Sequence, residues 1–368
     1  MSFASQVDMT YSAIGRLLRC QTSRTVRQSM NIFAQKRNWS TAAVPTWNPT
    51  SSSELDTSLT RFRDLLFIPH ALSIEQRRLI YKPQNAQKLK ENPITVYVGP
   101  DEEPYELRSI DKHSLPSKQD AMKVIDLMKE TGNWSNFVPF LIGLRESGFV
   151  FKAHHLESIL AEAGSTNGLG YFSEAVKQSA KTGVTIGHVD VAQRLFFELH
   201  VQAQKNEFQG PKFEKTYRLA SQFACLLEAP EIAAQESKAD PKRKPSIIGV
   251  LLELSAANAV NHGKVDTNGE VRAYARRFLA SWKTGSYKAP EKWDGVDRQL
   301  REIVPIYNGM KLALEVSEVA TDRTIAPAFK EQIEVLGGVI AESKISVSRE
   351  AHENPTAGLL QARALHKW

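Results

Sequence analysis

Hydrophobic residues recur at helical spacing along most of the chain after residue 116. Ser117 and Asp120 have the spacing of a capping box, in which a hydroxyl and a carboxylate each bind a backbone amide at the start of a helix. Four apolar residues then line one helical face: Ala121, Val124, Ile125 and Met128. Residues 131–133, with Gly132 in the middle, follow as a stop signal. The pattern predicts an amphipathic helix that packs on neighbouring helices.

Two consecutive helix–glycine–helix units, offset by 35 residues, occupy positions 137–205. Gly148 follows the first helix of one unit, and Gly183 follows the first helix of the next. Apolar residues match at this offset: Phe137 with Phe172, Leu141 with Val176, Phe149 with Val184, Leu156 with Val191 and Leu160 with Leu195. Because one such unit cannot bury its apolar face without a neighbour, the pattern predicts helical hairpins stacked as in a solenoid.

The period of 35 and the glycine after the first helix resemble the pentatricopeptide repeat family over residues 137–205. That family usually has a proline soon after the glycine, whereas residues 149–152 and 184–187 contain none. The base-reading positions of the family are therefore not assigned to residues of this chain. The alternative interpretation is two helical hairpins of similar length that do not recognise RNA.

The C-terminal part of the chain also has helical spacing, but without a clear repeat. Residues 247–260 predict a buried helix, and two amphipathic runs follow near 296–310 and 329–340. Between them, one helical stripe is formed by Val271, Tyr274, Ala275, Phe278, Leu279 and Trp282. A polar stretch bounded by prolines precedes this region and predicts a linker over residues 231–246.

Prolines are concentrated before the helical region. Eight of the 17 prolines fall between Pro45 and Pro116, where each removes a backbone donor and disfavours long helices. Residues 94–98 predict a short strand, and residues 58–66 predict a helix. We therefore expect residues 40–115 to form an extended, proline-rich arm with small local elements.

Positive charge is concentrated in the first 39 residues. One acid, Asp8, stands there against six basic residues: Arg16, Arg19, Arg24, Arg27, Lys36 and Arg37. Residues 14, 17 and 18 make an apolar helical face, and residues 37–41 resemble a matrix-peptidase cleavage site. This composition predicts a cleavable presequence over residues 1–39 and a location in the mitochondrial matrix. The alternative is a disordered basic tail that binds RNA or acidic lipid.

The remaining chain is nearly neutral, because the first 39 residues contribute six positive charges and one negative charge to the total of +6. That leaves +1 for residues 40–368, so the overall basicity does not indicate a nucleic-acid-binding domain. The patterns together predict five segments: the presequence over 1–39, the arm over 40–115, a helical-repeat domain over 116–230, the linker over 231–246 and a C-terminal helical region over 247–368.

Sequence patterns of common catalytic sites are missing. The chain has no glycine-rich phosphate loop ending in Lys-Ser or Lys-Thr, no Gly-x-Ser-x-Gly elbow and no His-Glu-x-x-His motif. No apolar run approaches the ~20 residues that a membrane-spanning helix needs. We therefore expect a protein without enzymatic activity, cofactor, metal site, membrane span or small-molecule substrate. The alternative is a matrix enzyme whose active site uses scattered residues.

Two groups of cations are candidates for RNA contact because ammonium and guanidinium groups bind phosphate. The first group lies in the predicted linker and comprises Lys242, Arg243 and Lys244. The second lies outside the apolar stripe of a predicted helix and comprises Arg272, Arg276 and Arg277. The alternative is that both groups are solvated surface.

Residues 104–111, which read Pro-Tyr-Glu-Leu-Arg-Ser-Ile-Asp, and the helix at 118–128 that follows resemble fungal mitochondrial ribosomal proteins, most closely those of the large subunit. The resemblance covers residues 95–228. It implies a structural constituent of the mitochondrial ribosome whose partners are ribosomal RNA and neighbouring ribosomal proteins. The alternative is a freestanding, pentatricopeptide-like RNA-binding factor in mitochondrial RNA processing or translation.

Overall fold

The computed structural model describes residues 44–99, 102–229, 240–282, 290 and 292–366, and the predicted presequence lies outside them. Helices dominate the described residues, so the predicted all-α fold class is confirmed. These residues form two compact units that divide between Thr185 and Ile186. This division differs from the five segments defined by composition, and those segments stay predictions about which parts of the chain fold independently.

The first unit contains short helices, one β-hairpin and a series of longer helices. Its α-helices are α1 (Ser53–Phe62), α2 (Ile68–Ala71), α3 (Ile74–Tyr81), α4 (Ala86–Glu91), α5 (Lys118–Thr131), α6 (Phe137–Glu146), α7 (Ala153–Ser165), α8 (Leu169–Lys177) and α9 (Ser179–Thr182). A π-helical turn at Arg63–Phe67 joins α1 to α2, and 3-10 turns lie at Pro83–Asn85 and Lys112–Ser114. The strands β1 (Thr95–Val98) and β2 (Glu103–Glu106) pair antiparallel, which confirms the predicted strand.

Residues 44–115 are more compact than the extended arm that their prolines predict. The helices α2, α3 and α4 and the hairpin share a small core formed by Ile68, Leu72, Ile80, Leu89, Val98, Leu107 and Ile110. Pro83 fits because it lies in the first turn of a 3-10 helix, where a backbone donor is not needed. Pro69 lies in α2, which directly follows the π-helical turn, where the spacing of the helical hydrogen bonds changes. Pro104 lies in β2 of a two-stranded sheet, where both strands are edges.

A buried amide fastens the beginning of the described chain to the first unit. The Asn136 side chain is fully buried, donates to the carbonyl oxygen of Asn48 at 2.8 Å and accepts from the Asn48 amide at 2.9 Å. Next to it, the Trp47 ring packs 6.1 Å from Phe67 and 6.4 Å from Phe140. Residues 44–50 are therefore part of the packed unit.

The predicted local signals of the helical region are confirmed. Ser117 and Asp120 form the capping box of α5, and the stripe of four apolar residues is buried. Gly148 and Gly183 adopt left-handed backbone angles, with φ of 84° and 70°, after the first helix of each hairpin. The second helix of the second hairpin, α10 (Val189–Lys205), belongs to the second unit.

Among the described residues, the second unit continues with six helices of ten or more residues and two short ones. After α10 come α11 (Gly210–Leu227), α12 (Pro245–Asn261), α13 (Glu270–Ser281), α14 (Trp293–Ala313), α15 (Ser317–Ala320), α16 (Ile325–Ser343), α17 (Arg349–Glu353) and α18 (Ala357–His366). Two 3-10 turns lie at Pro241–Arg243 and Lys344–Ser346. The helices predicted at 247–260, 271–282, 296–310 and 329–340 are all present.

Helix α12 is the centre of the second unit. It packs against α10, α11, α13 and α14, and its apolar sequence is buried on almost every side, as predicted. Where α12 crosses α14, both helices present glycine. A Cβ atom on Gly309 would lie 2.9 Å from the carbonyl oxygen of Gly249 and 3.0 Å from the amide nitrogen of Glu253. The missing side chains therefore allow the two backbones to approach closely.

A buried polar cluster joins three helices near this crossing. His200 on α10 and Glu253 on α12 are both fully buried, and His200 Nδ1 lies 2.6 Å from Glu253 Oε2. Asn308 on α14 donates to the other carboxyl oxygen of Glu253 at 2.6 Å. Burial raises the pKa of Glu253, and the contacts with His200 and Asn308 oppose that rise. The carboxyl group is thus the common hydrogen-bond partner of side chains on two other helices.

Substituting Gly309 with Ala is expected to lower the free energy of unfolding by about 1–3 kcal/mol, because the new methyl group meets backbone atoms that cannot move aside. Denaturant unfolding followed by circular dichroism measures the change. The matched control is Gly338→Ala in α16, where a Cβ would meet open space and alanine is expected to stabilise the helix by about 0.5–1 kcal/mol. Equal stabilities of the two variants would contradict this account of the crossing.

Substituting Glu253 with Ala is expected to lower the free energy of unfolding by about 3–5 kcal/mol, because His200 and Asn308 lose their shared buried hydrogen-bond partner. The control is Glu302→Ala on α14, a partly exposed carboxylate that accepts from Gln193 at 3.4 Å. We expect less than about 1 kcal/mol for the control. A decrease of similar size in both variants, by the same unfolding measurement, would contradict a large stabilising contribution from the buried cluster.

Candidate RNA-contact surface

Two of the three predicted cations on α13, Arg272 and Arg276, lie on its outer side, but an acid that they share limits their availability, and the third, Arg277, is mostly buried. Arg272 and Arg276 are 47 % and 54 % exposed in their side chains, and both approach the Asp322 carboxylate, at 3.2 and 3.7 Å. Asp322 Oδ1 also accepts from the Thr324 hydroxyl at 2.7 Å. Hydrogen bonds from the side chain and the backbone amide of Thr324 have the largest effect on Asp322, and further ones, including one from Arg272, act in the same direction. Together they hold the pKa of Asp322 below its ordinary range. One net positive charge remains among these three charged groups.

The other predicted group meets α13 at a second ion-pair cluster. Arg277 donates to the carbonyl oxygen of Lys242 at 2.9 Å and lies 3.7 Å from Glu228. The ammonium group of Lys242 lies 3.4 Å from Glu228 and 3.7 Å from Asp240. The structure thus brings Lys242 and Arg277 together, although they lie 35 positions apart in the sequence. Two cations face two acids there, so this cluster carries no net charge.

The remaining two predicted residues differ from each other. Arg243 is exposed and forms no ion pair with another described residue. Lys244 is half-buried at the start of α12, and its charge opposes the rise in the pKa of Glu302 that burial causes. Of the six predicted residues, Arg243 and Arg276 are therefore the most open to an outside phosphate.

The acids that neutralise these cations were missed by the sequence prediction. Asp240 precedes Lys242 by two residues, so this ion pair could have been predicted from the local sequence. Asp322 lies about 50 residues from its two arginine partners, and no sequence pattern links them. Only the packing of α13 near the start of α16 brings these charges together.

A polar cleft of about 380 Å³ lies in the second unit, lined by residues of α11, α12 and the start of α13. On its wall, the Tyr217 hydroxyl donates to Glu270 at 2.5 Å, and burial together with this bond raises the pKa of Tyr217. Asn258, Asp266 and Asn268 also line it. Among the described residues, no group of three or more His, Cys, Asp or Glu side chains is placed to hold a metal ion. Within the same residues, no helix is both long and apolar enough to cross a membrane.

Comparison with known proteins identifies the family. The family model of mitochondrial ribosomal protein mS27 matches residues 32–364, which includes both compact units. This chain belongs to the mitochondrial ribosomal protein mS27 family. A curated relative from Neurospora crassa, the small ribosomal subunit protein mS27, is 23 % identical over 281 residues, covering 71 % of this chain and 70 % of the relative.

Membership of the mS27 family confirms the expected mitochondrial ribosomal protein and corrects its finer assignment. The resemblance seen in residues 95–228 pointed to the large subunit, whereas the relative carries the name of a small-subunit protein. The large-subunit expectation is therefore not supported. The family also does not favour a freestanding RNA-binding factor, and it agrees with a structural rather than an enzymatic role.

Asp322 is expected to make the stability of the fold depend on acid pH. Because its pKa in the folded protein is lowered, its stabilising contribution is complete above the ordinary aspartate pKa of about 4 and is lost as the pH falls towards the lowered folded value. The difference in melting temperature between the wild type and Asp322→Asn should shrink as the pH falls from about 6 to about 3. Glu315→Gln, at an exposed pair with Lys264, is the control. A difference that stays constant with pH would contradict the assignment.

Proposed function

We propose that this chain is a structural component of the small subunit of the mitochondrial ribosome and acts in the matrix without catalysing a reaction. The observation that carries the proposal is the family match over residues 32–364. A match of this length includes the central α12 and both compact units, so it concerns the architecture and not a single motif. The name of the Neurospora crassa relative supports the small subunit in particular.

The polar clusters of the described residues agree with a structural role. Glu253 is buried between helices, Asp322 receives the amides at the start of α16, and Glu228 joins α11 to α13 through Arg277. Each of these acids connects elements of the fold. A protein with this organisation presents surfaces of fixed shape, which is what a particle built from many chains requires.

Ribosomal RNA and neighbouring ribosomal proteins are the proposed partners. Among the residues predicted for RNA contact, Arg243 and Arg276 support the proposal best because their side chains are exposed. Lys242 and Arg277 are held by Glu228, so a phosphate would have to compete with that carboxylate. We therefore expect these two residues to stabilise the unit and to contribute little to RNA binding.

Sedimentation of the tagged chain in mitochondria of its source organism tests the proposal. Lysates are separated on sucrose gradients in magnesium and again in EDTA, which splits the ribosome into its subunits. We expect the chain to migrate with whole ribosomes in magnesium and with the rRNA of the small subunit in EDTA. The control is a large-subunit protein followed in the same gradients.

Three results would overturn parts of this proposal. Migration with the large subunit in EDTA would refute the subunit assignment. A position in the light fractions under both conditions would refute a stable ribosomal component. If protease degrades the chain as soon as the outer membrane is opened, while the inner membrane is still intact, the matrix location is refuted.

A further inference from the structure

The most basic surface segment of the first unit lies in α3, α4 and the turn between them. Five cations fall between positions 77 and 90 and are here called the basic patch: Arg77, Arg78, Lys82, Lys88 and Lys90. Residues 74–98 contain only two acids, Glu75 and Glu91. Five positive charges minus two negative charges leave +3 for this segment, whereas all of residues 40–368 carry +1.

The basic patch differs from the cations of the second unit because its charges are not neutralised internally. Its five side chains form no ion pair or side-chain hydrogen bond with any other described residue. Glu91, the nearer acid in sequence to Lys88 and Lys90, accepts instead from the Gln87 amide at 3.1 Å. In contrast, Arg272 and Lys242 each face a carboxylate within 3.4 Å.

The small core that holds α3 and α4 orders the backbone that carries these cations. Ile80 of α3 and Leu89 of α4 are buried in the same core, so the two helices are held by their inner sides. Arg78, Lys82, Lys88 and Lys90 are exposed, and Arg77 is half-buried. The cations therefore stand on ordered helices and their short connection, which reduces the conformational entropy that binding would remove.

Two other side chains of the same segment are exposed and are not covered by the described residues of their own unit. Ile74 lies three and four residues before Arg77 and Arg78, hence on the same helical face, and it is 50 % exposed. Tyr97, on the outward side of β1, is 69 % exposed. An apolar residue beside two guanidinium groups suits contact with sugar rings as well as phosphates.

We propose that the basic patch binds the sugar-phosphate backbone of ribosomal RNA. The inference rests on the proposed ribosomal function and adds a contact surface outside the six residues that the sequence suggested. Because its cations are spread over two helices and a turn, the partner that we infer is a chain of phosphates and not one isolated anion. Binding releases counterions from the RNA, so the affinity weakens with rising salt.

The test removes the four exposed charges in the full-length chain by Arg78→Gln, Lys82→Gln, Lys88→Gln and Lys90→Gln. The matched control removes four exposed charges elsewhere by Lys212→Gln, Lys215→Gln, Lys330→Gln and Lys344→Gln. Both variants change the net charge equally, and unchanged circular dichroism and melting temperature establish that they fold. Binding to small-subunit mitochondrial rRNA is measured over a series of KCl concentrations.

We expect the patch variant to bind at least tenfold more weakly than the control variant at moderate salt. The slope of log affinity against log salt should fall by about 0.7 for each phosphate that the variant no longer neutralises, hence by about 3 for the patch variant. Equal affinities and slopes for the two variants would overturn the proposal.

Crosslinking in intact wild-type particles separates RNA from protein as the partner. Ultraviolet crosslinking should join nucleotides to peptides from residues 74–98. Crosslinks of Lys82, Lys88 or Lys90 to carboxylates of a neighbouring protein, without nucleotide adducts, would overturn the RNA assignment. The wild-type gradient profile keeps the two proposals distinct: a ribosome-bound chain without these nucleotide adducts refutes the patch alone, and an unbound wild-type chain refutes the ribosomal function.

Discussion

The close crossing of α12 and α14 is the interaction on which the second unit depends. Gly249 and Gly309 bring the two backbones so near that a methyl group has no room between them. This approach places the Glu253 carboxyl group within reach of Asn308 on one side and His200 on the other. Helices α10, α11 and α13 then pack on the remaining sides of α12, and α16 and α18 pack on α14. The unit is thus built outward from one helix pair.

Local sequence signals predicted where the helices form, but they did not predict which distant segments pack against each other. The capping box at Ser117, the apolar stripe of α5 and the glycines after α6 and α9 each involve residues within a few positions of one another. The folding of residues 44–115 was harder to predict, because its core combines single apolar residues from several short elements. The helix crossing brings Gly249 and Gly309 together, and neither local sequence indicates that these two glycines pack against each other. Helical spacing and the positive charge of residues 1–39 also carry no information about the ribosomal subunit.

At the candidate site, the sequence likewise predicted which residues are charged but not which charges face one another. The cations predicted for RNA contact were chosen because they cluster in sequence or on one helix face. Their usefulness to a partner depends on acids such as Glu228 and Asp322, which folding brings to them. The five cations on α3, α4 and their connecting turn were not singled out by the sequence, since they sit in a segment predicted to be an extended arm. An ordered scaffold and the lack of described acid partners distinguish them, and both are tertiary properties.

The pairing of Lys242 with Glu228 has a consequence for how this chain can change in evolution. The two residues stand on either side of the proline-bounded stretch at 229–241, and their charges lie 3.4 Å apart. Arg277 on α13 contacts both residues as well. Since the entropy cost of joining two fixed points grows only slowly with the number of residues between them, insertions between positions 230 and 239 should have little effect on α11 and α12. We therefore expect related chains to differ in length here more readily than within the helices on either side.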